Sequence, residues 1–366
     1  MPLTWDEVRT RRLARSSLAE RAPAERLIDV VRRAGGIHAQ VQASADLQLA
    51  ARIDGITLQD VRDALWRDRT LVRAWTLRGT LHLHPADELA MWFAARRAVS
   101  GRPHGLGPWS DPNGRVHPPV SANVLTEIRA AVWEALDGRM LLRDELTAAV
   151  VSRVGAKHEP RLRSGFAFFT DQLCQGPPQG SRVTFVRPDQ WIHGWEEVKD
   201  GNEALREVCR RYLHAYGPAR PRDFGTWFGP MDFGSLDVEE VDVAGHRAYL
   251  LAGDTEFPES SSTVRLLPEY DVYVMGFRER EQLVPEPVRE QVTAHGRGRY
   301  EGAAGVRFLL IDGVAAGLWE RKRTAHRIEL TVRPVVKLSP ARRKELDREG
   351  ERIGAFLGVE PVLMLQ

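Results

Sequence analysis

Cysteine is almost missing from this chain: Cys174 and Cys209 are the only 2 thiols in 366 residues, and neither belongs to a Cys-x-x-Cys pair or a Cys/His quartet. That spacing excludes a zinc finger and argues against a secreted scaffold held by disulfides. Long apolar runs are missing too, with nothing near the roughly 18 consecutive residues of a membrane span. The opening Met1-Pro2-Leu3-Thr4-Trp5-Asp6-Glu7 lacks the basic-then-apolar pattern of a leader, so a cytoplasmic protein without a membrane partner is expected. Lysine is scarce: Lys157, Lys199, Lys322, Lys337 and Lys344 are 5 of the 52 basic residues, and the rest are arginine. Arginine's rigid fork holds phosphate and carboxylate, although a GC-rich genome produces the same bias. The net charge of +2 leaves no dominant sign, and therefore neither favours nor excludes nucleic acid as a partner. With 43% hydrophobic residues, the length suggests roughly two to four compact units.

What the chain does contain is a short polar row in Gly36-Ile37-His38-Ala39-Gln40-Val41-Gln42-Ala43-Ser44. Taken as an extended segment, period-2 alternation puts His38, Gln40 and Gln42 on one face and Ile37, Ala39 and Val41 on the other. Two neighbouring primary amides fix a water molecule but are too weakly basic to take its proton outright. Such a pair suits a reaction whose leaving group is already activated. The same glutamines on a short edge strand also read as a solvated face.

The flanking pattern is helical. Thr4 with Glu7 forms a capping box for a helix over 4–18, a second helix over 23–34 stops at Gly35-Gly36, and Ser44 and Thr57 are placed to cap helices over 45–51 and 58–67. Two β-like runs, 71–77 and 80–84, meet at Arg78-Gly79 as a tight hairpin. This order is that of a winged helix-turn-helix module whose wing tip presents Arg78. His82 and His84 share one strand face, half of a metal site without a third ligand at a telling distance; ordinary strand histidines are the simpler reading, and no metal is assigned.

After a Gly/Pro-rich linker at 100–119 the unit recurs, with helices over 122–136, 142–154 and 161–173, then a hairpin with its tip at Gly176-Pro177-Pro178-Gln179-Gly180 and a return strand over 181–186. A third copy has helices over 202–216, 220–228 and 233–240 and a hairpin over 241–252 turning at Gly245. The expected fold is therefore α+β: three tandem winged helices followed by a strand-rich C-terminal region and a terminal helix. The boundaries read as 1–99, the linker 100–119, then 120–200, 201–256 and 257–366.

In that last region, strands over 306–312, 314–320 and 326–332 form a meander whose second turn, 320–325, carries Arg321, Lys322 and Arg323 beside His326. Together with His295-Gly296-Arg297-Gly298-Arg299-Tyr300, this tip is a candidate for touching phosphate, or a solvated turn. Ser339 caps a final helix running to Leu357. Asp271, a carboxylate in an apolar strand, either supports catalysis or caps neighbouring amides.

Four blocks in order, Gln40-Val41-Gln42, Trp75 to His82, Leu266-Leu267-Pro268-Glu269-Tyr270-Asp271 and Leu310 to Trp319, resemble the AlkZ-like family of winged-helix DNA glycosylases over nearly the whole chain. The resemblance implies tandem winged helices around duplex DNA and a glutamine, apolar, glutamine catalytic motif, matched here by Gln40, Val41 and Gln42. A sister branch has aspartate at the second polar place, so Gln42 points to the branch tied to bacterial self-resistance against DNA-alkylating natural products. The implied reaction is hydrolysis of the N-glycosidic bond of cationic N7-alkylated purines, including bulky adducts and interstrand crosslinks, by a monomer needing neither cofactor nor protein partner. No lysine lies near Gln40 in sequence, so no lyase step is expected. A non-catalytic winged-helix transcriptional regulator is the alternative.

Overall fold

Thr4 opens the first helix, Trp5–Arg15, through the reciprocal box foreseen: its hydroxyl accepts from the Glu7 amide and the Glu7 carboxylate accepts from the Thr4 amide. The computed structural model describes residues 2–100, 105–111, 113–165, 171–259, 262–277, 280–294 and 305–366. The candidate loop His295 to Tyr300 lies outside the described residues, as does part of the helix expected over 161–173. The chain divides into two units, Met1–Arg62 with Glu207–Gln366, and Asp63–Arg206.

In the first unit, a single helical turn at Ala24–Arg26 leads into helix Leu27–Arg33, which ends where Gly35 and Gly36 take positive φ of 68° and 99°. Strand Ile37–His38, helix Gln42–Arg52 and helix Leu58–Arg62 follow. Thr57 caps the last of these through the Asp60 amide, 3.2 Å from its hydroxyl. When the chain re-enters this unit at Glu207 it is within helix Gly201–Tyr216, followed by Pro221–Trp227. The third helix expected over 233–240 is instead one 3-10 turn, Phe233–Ser235, followed by strand Val238–Val243. Val238, Val241 and Val243 favour the pleated conformation, and the strand gains Pro2–Leu3 as a parallel neighbour beside its antiparallel partner His246–Leu251.

The C-terminal part is a 5-stranded sheet in the order Val264–Leu267, Phe308–Ile311, Val314–Arg323, Arg327–Pro334, Glu360–Leu365. Its last pair is parallel, because the chain returns through helix Pro340–Leu357, capped by Ser339 as expected, before adding its final strand. That strand was not foreseen. The expected turn at 320–325 is also corrected: the strand runs on through Arg323, paired Arg321 to Leu330, Lys322 to Glu329 and Arg323 to Ile328, and the bend falls at 324–326. Leu13, Leu18, Leu267, Tyr273, Val284, Phe308 and Leu318 make the core beneath this sheet.

The second unit is built on one sheet that contains, in order, Leu81–Pro85, Leu71–Trp75, Cys174–Gln179, Arg182–Val186 and Leu141–Leu142. The two hairpins read from sequence as separate wings are thus neighbours, joined where Gln175 pairs with Arg73. Helices Ala122–Ala135, Arg143–Val154 and Glu159–Ser164 pack through Ile128, Val132, Leu146 and Leu162 against Trp75, Leu81 and Phe185. Within the expected linker, Trp109–Ser110 and Val116–His117 pair as a short ladder.

Candidate active site

The extended segment expected to carry the glutamines ends early. Strand Ile37–His38 is all of it, and the following helix begins at Gln42, two residues before Ser44. Val41 is its N-cap, at φ −109° and ψ 107°, and supplies no capping side chain. The common face of His38, Gln40 and Gln42 therefore does not form: His38 is buried, Gln40 and Val41 are exposed in the bend, and Gln42 is half-buried on the first helical turn. Ser44 is not the cap because its hydroxyl donates to the carbonyl of Glu269.

Gln42 is held by a neighbour one turn on. Its Nε2 donates to Asp46 Oδ1 at 2.8 Å, an i, i+4 contact on the helix surface. An ionised carboxylate only accepts, so the amide nitrogen must face Asp46 and the carbonyl must face away. Gln42 Oε1 is buried and meets no hydrogen-bond partner among the described residues.

The start of this helix is fixed from below by the turn that follows strand Val264–Leu267. Gln48 bridges the two, donating to the His38 carbonyl at 2.9 Å and accepting from the Val272 amide at 3.1 Å. Arg52, at the helix end, meets Asp271 through two bonds of 2.9 and 2.6 Å. Burial pulls the Arg52 guanidinium down, but the Asp271 charge outweighs it and leaves the group above its ordinary value. Asp271 also accepts from the Tyr273 amide at 2.8 Å and caps helix Val272–Met275, so its capping role is realised. Tyr270 occupies the left-handed region at φ 62°, a costly conformation for a tyrosine, with its ring 5.1 Å from that of His38. Trp319 secures the same turn by donating Nε1 to the Leu267 carbonyl at 2.8 Å.

Beside this turn, the Glu269 carboxylate takes two bonds from Arg307, at 2.7 and 3.1 Å, and one from Arg321 at 3.4 Å. Burial pushes the Glu269 carboxyl up, and the bonds and charges of the two arginines overcome it, leaving it below its usual value. Arg321 also reaches the Ala43 carbonyl at 3.4 Å. It is therefore part of the support of the glutamine helix, largely enclosed, and not a free basic tip. Burial lowers its affinity for the proton, partly offset by Glu269. Lys322, Arg323 and His326 are exposed along the strand end and turn, with Arg323 also 3.4 Å from the Leu357 carbonyl.

In the other unit, Arg78 stands exposed at the hairpin tip, where it and Gly79 take positive φ of 51° and 69°. His82 and His84 are buried on their strand: His84 Nε2 lies 2.8 Å from the Thr76 hydroxyl and its ring lies 4.4 Å from that of Trp92, tilted by 40°, while His82 Nδ1 lies 3.0 Å from the Thr80 carbonyl. These are hydrogen-bonded core histidines. Ser44, Asp46, Gln48, Arg52, Glu269 and Arg307 were missed by sequence reasoning. Only Asp46 had a local signal, its i, i+4 spacing from Gln42, and that becomes visible only if the helix is begun at Gln42.

Comparison with known proteins gives one concordant answer. The family model described as DNA glycosylase AlkZ-like matches residues 31–356. An interstrand DNA cross-link repair glycosylase of Streptomyces sahachiroi is 28% identical to this chain, covering 98% of each. The solved structure of Streptomyces sahachiroi DNA glycosylase AlkZ superposes with a TM-score of 0.78 at 26% identity, covering 100% of both chains.

Proposed function

The chain belongs to the AlkZ-like family of DNA glycosylases, and on that premise we propose that it hydrolyses the N-glycosidic bond of cationic N7-alkylated purines in duplex DNA, interstrand crosslinks included. Membership of an enzyme family sets aside the reading as a transcriptional regulator. The observation that carries the proposal is the state of Gln42: its amide nitrogen is tied to Asp46, which leaves the carbonyl oxygen as the end of the side chain unpartnered among the described residues, one residue along from Val41 and two from an exposed Gln40.

A guanine alkylated at N7 carries a positive charge and departs as a neutral base, so no general acid is required. What remains is to position a water near C1′ and to face the developing sugar cation with negative dipole ends. Gln40 and Gln42 serve both needs through their carbonyl oxygens. Being neutral amides, they are too weak to expel an uncharged base, which restricts the enzyme to lesions that are already cationic.

The remaining parts follow the same reading. The segments 1–99, 120–200 and 201–256, the last with a 3-10 turn in place of its third helix, act as winged-helix-like DNA-binding modules ahead of the 257–366 region, with Arg78, Lys322, Arg323 and His326 touching the backbone of the duplex and Arg321 and His38 supporting the motif. Release is monofunctional: Lys322 follows Arg321 on its strand, so alternation turns it to the opposite face, toward its cross-strand partner Glu329. The protein works as a monomer without a cofactor.

The test is incubation of a duplex containing N7-methylguanine with the wild type and with Gln42→Ala, followed by heat and alkali to cut abasic sites. Cleavage that appears only after that treatment, and only with the wild type, supports the proposal; strand scission without heat or alkali contradicts the monofunctional assignment.

A further inference from the structure

We propose that Asp46 is the positioning residue for Gln42, setting which end of the amide faces the substrate and strengthening its carbonyl as an acceptor. This rests on the assignment of Gln42 to the reaction. A free glutamine amide turns over at little cost, presenting nitrogen or oxygen in turn, and only the oxygen can accept from a water or face a sugar cation. The 2.8 Å bond from Nε2 to Asp46 removes that freedom, because the carboxylate cannot donate in return.

The alternative is that Gln42 and Asp46 form an ordinary i, i+4 surface pair, which stabilises a helix slightly and does nothing more. Two features argue otherwise. Gln42 Oε1 is itself buried and unengaged among the described residues, so the pairing leaves a desolvated acceptor poised where a surface pair would leave a hydrated one. The helix turn that carries both residues is also anchored at Ser44 to the Glu269 carbonyl and at Ala43 by Arg321, so the pair has a fixed frame. A bond to an ionised acceptor is stronger than a neutral one, and it polarises the amide, placing more negative charge on the far oxygen. The carboxylate thus favours a developing cation at the sugar without touching it.

The experiment measures single-turnover release of N7-methylguanine from a duplex oligonucleotide by wild type, Asp46→Ala, Asp46→Asn, Gln42→Ala and the Asp46→Ala, Gln42→Ala double variant, with affinity for the unmodified duplex measured alongside. Asp46→Ala is expected to lower the rate constant about 10- to 100-fold while leaving duplex affinity within about 2-fold, the signature of a misplaced reacting group. Asp46→Asn retains the shape and one acceptor but no longer forbids the turned amide, so it should lie between the wild type and the alanine variant. In the Gln42→Ala background, Asp46→Ala should bring no further loss, since the residue it positions is gone. A wild-type rate in Asp46→Ala, or the same fold-loss repeated in the Gln42→Ala background, overturns the inference while leaving the glutamine assignment intact. If Gln42→Ala itself turns over at the wild-type rate, it is the glutamine assignment that fails.

Discussion

Arg52 and Asp271 form a bidentate ion pair at 2.6 and 2.9 Å with both side chains shut off from solvent, and it joins the end of the glutamine helix to a turn 219 residues later in the chain. Neither charge has water to fall back on. Asp271→Ala should therefore destabilise the protein by about 3–5 kcal/mol, the cost of stranding a buried guanidinium, seen as a large drop in melting temperature. A change within about 0.5 kcal/mol would mean that the pair does not clamp the two segments.

Gln48 offers a milder perturbation of the same join. Replacing it with alanine removes one donor from the His38 carbonyl and takes from the buried Val272 amide its Gln48 acceptor, a loss of about 1–3 kcal/mol for a group left buried and unsatisfied. Because the His38 carbonyl lies two residues before Gln40, Gln48→Ala should also slow base excision. Chemical denaturation and single-turnover rates measure the two effects separately.

Sequence alone recovered what is locally encoded. The Thr4 and Glu7 box, the Gly35-Gly36 stop, the Arg78-Gly79 turn and the Ser339 cap all act within a few residues, and all are present. The glutamine helix escaped because its start has no capping side chain, while Ser44, which looked like one, is engaged by Glu269, 225 residues away. Arg321 escaped for a related reason: a run of three basic residues looks like a solvated turn, and the carboxylate that claims Arg321 is 52 residues away in sequence. Long-range partners leave no periodic trace.

Glu269 gives the fold an acid-sensitive element. Its carboxyl lies below the ordinary value in the folded protein, so its stabilising effect is complete above the unfolded-state pKa and is lost as pH falls through the folded one. Melting temperatures measured from neutral pH downward should fall on the acid side more steeply for the wild type than for Glu269→Gln, which is already unable to ionise. Equal acid-side slopes for the two proteins would mean that the arginine pairing does not hold this carboxylate ionised.

Lys322 and Arg323 should act on binding and not on turnover. Replacing both with alanine is expected to weaken duplex affinity, reducing the slope of log affinity against log salt by about 1 for each phosphate no longer neutralised, with the rate of the bound complex unchanged. Arg321→Ala should differ from both, lowering the excision rate through the Glu269 and Ala43 bonds it supplies.

The most direct measurement of the central claim is the single-turnover rate of N7-methylguanine excision by Gln42→Ala with enzyme in saturating excess over duplex. The account predicts a loss of about 100-fold or more with the fold and duplex affinity retained. Excision at the wild-type rate would contradict it, and would mean that the amide tethered to Asp46 takes no part in breaking the bond between sugar and base.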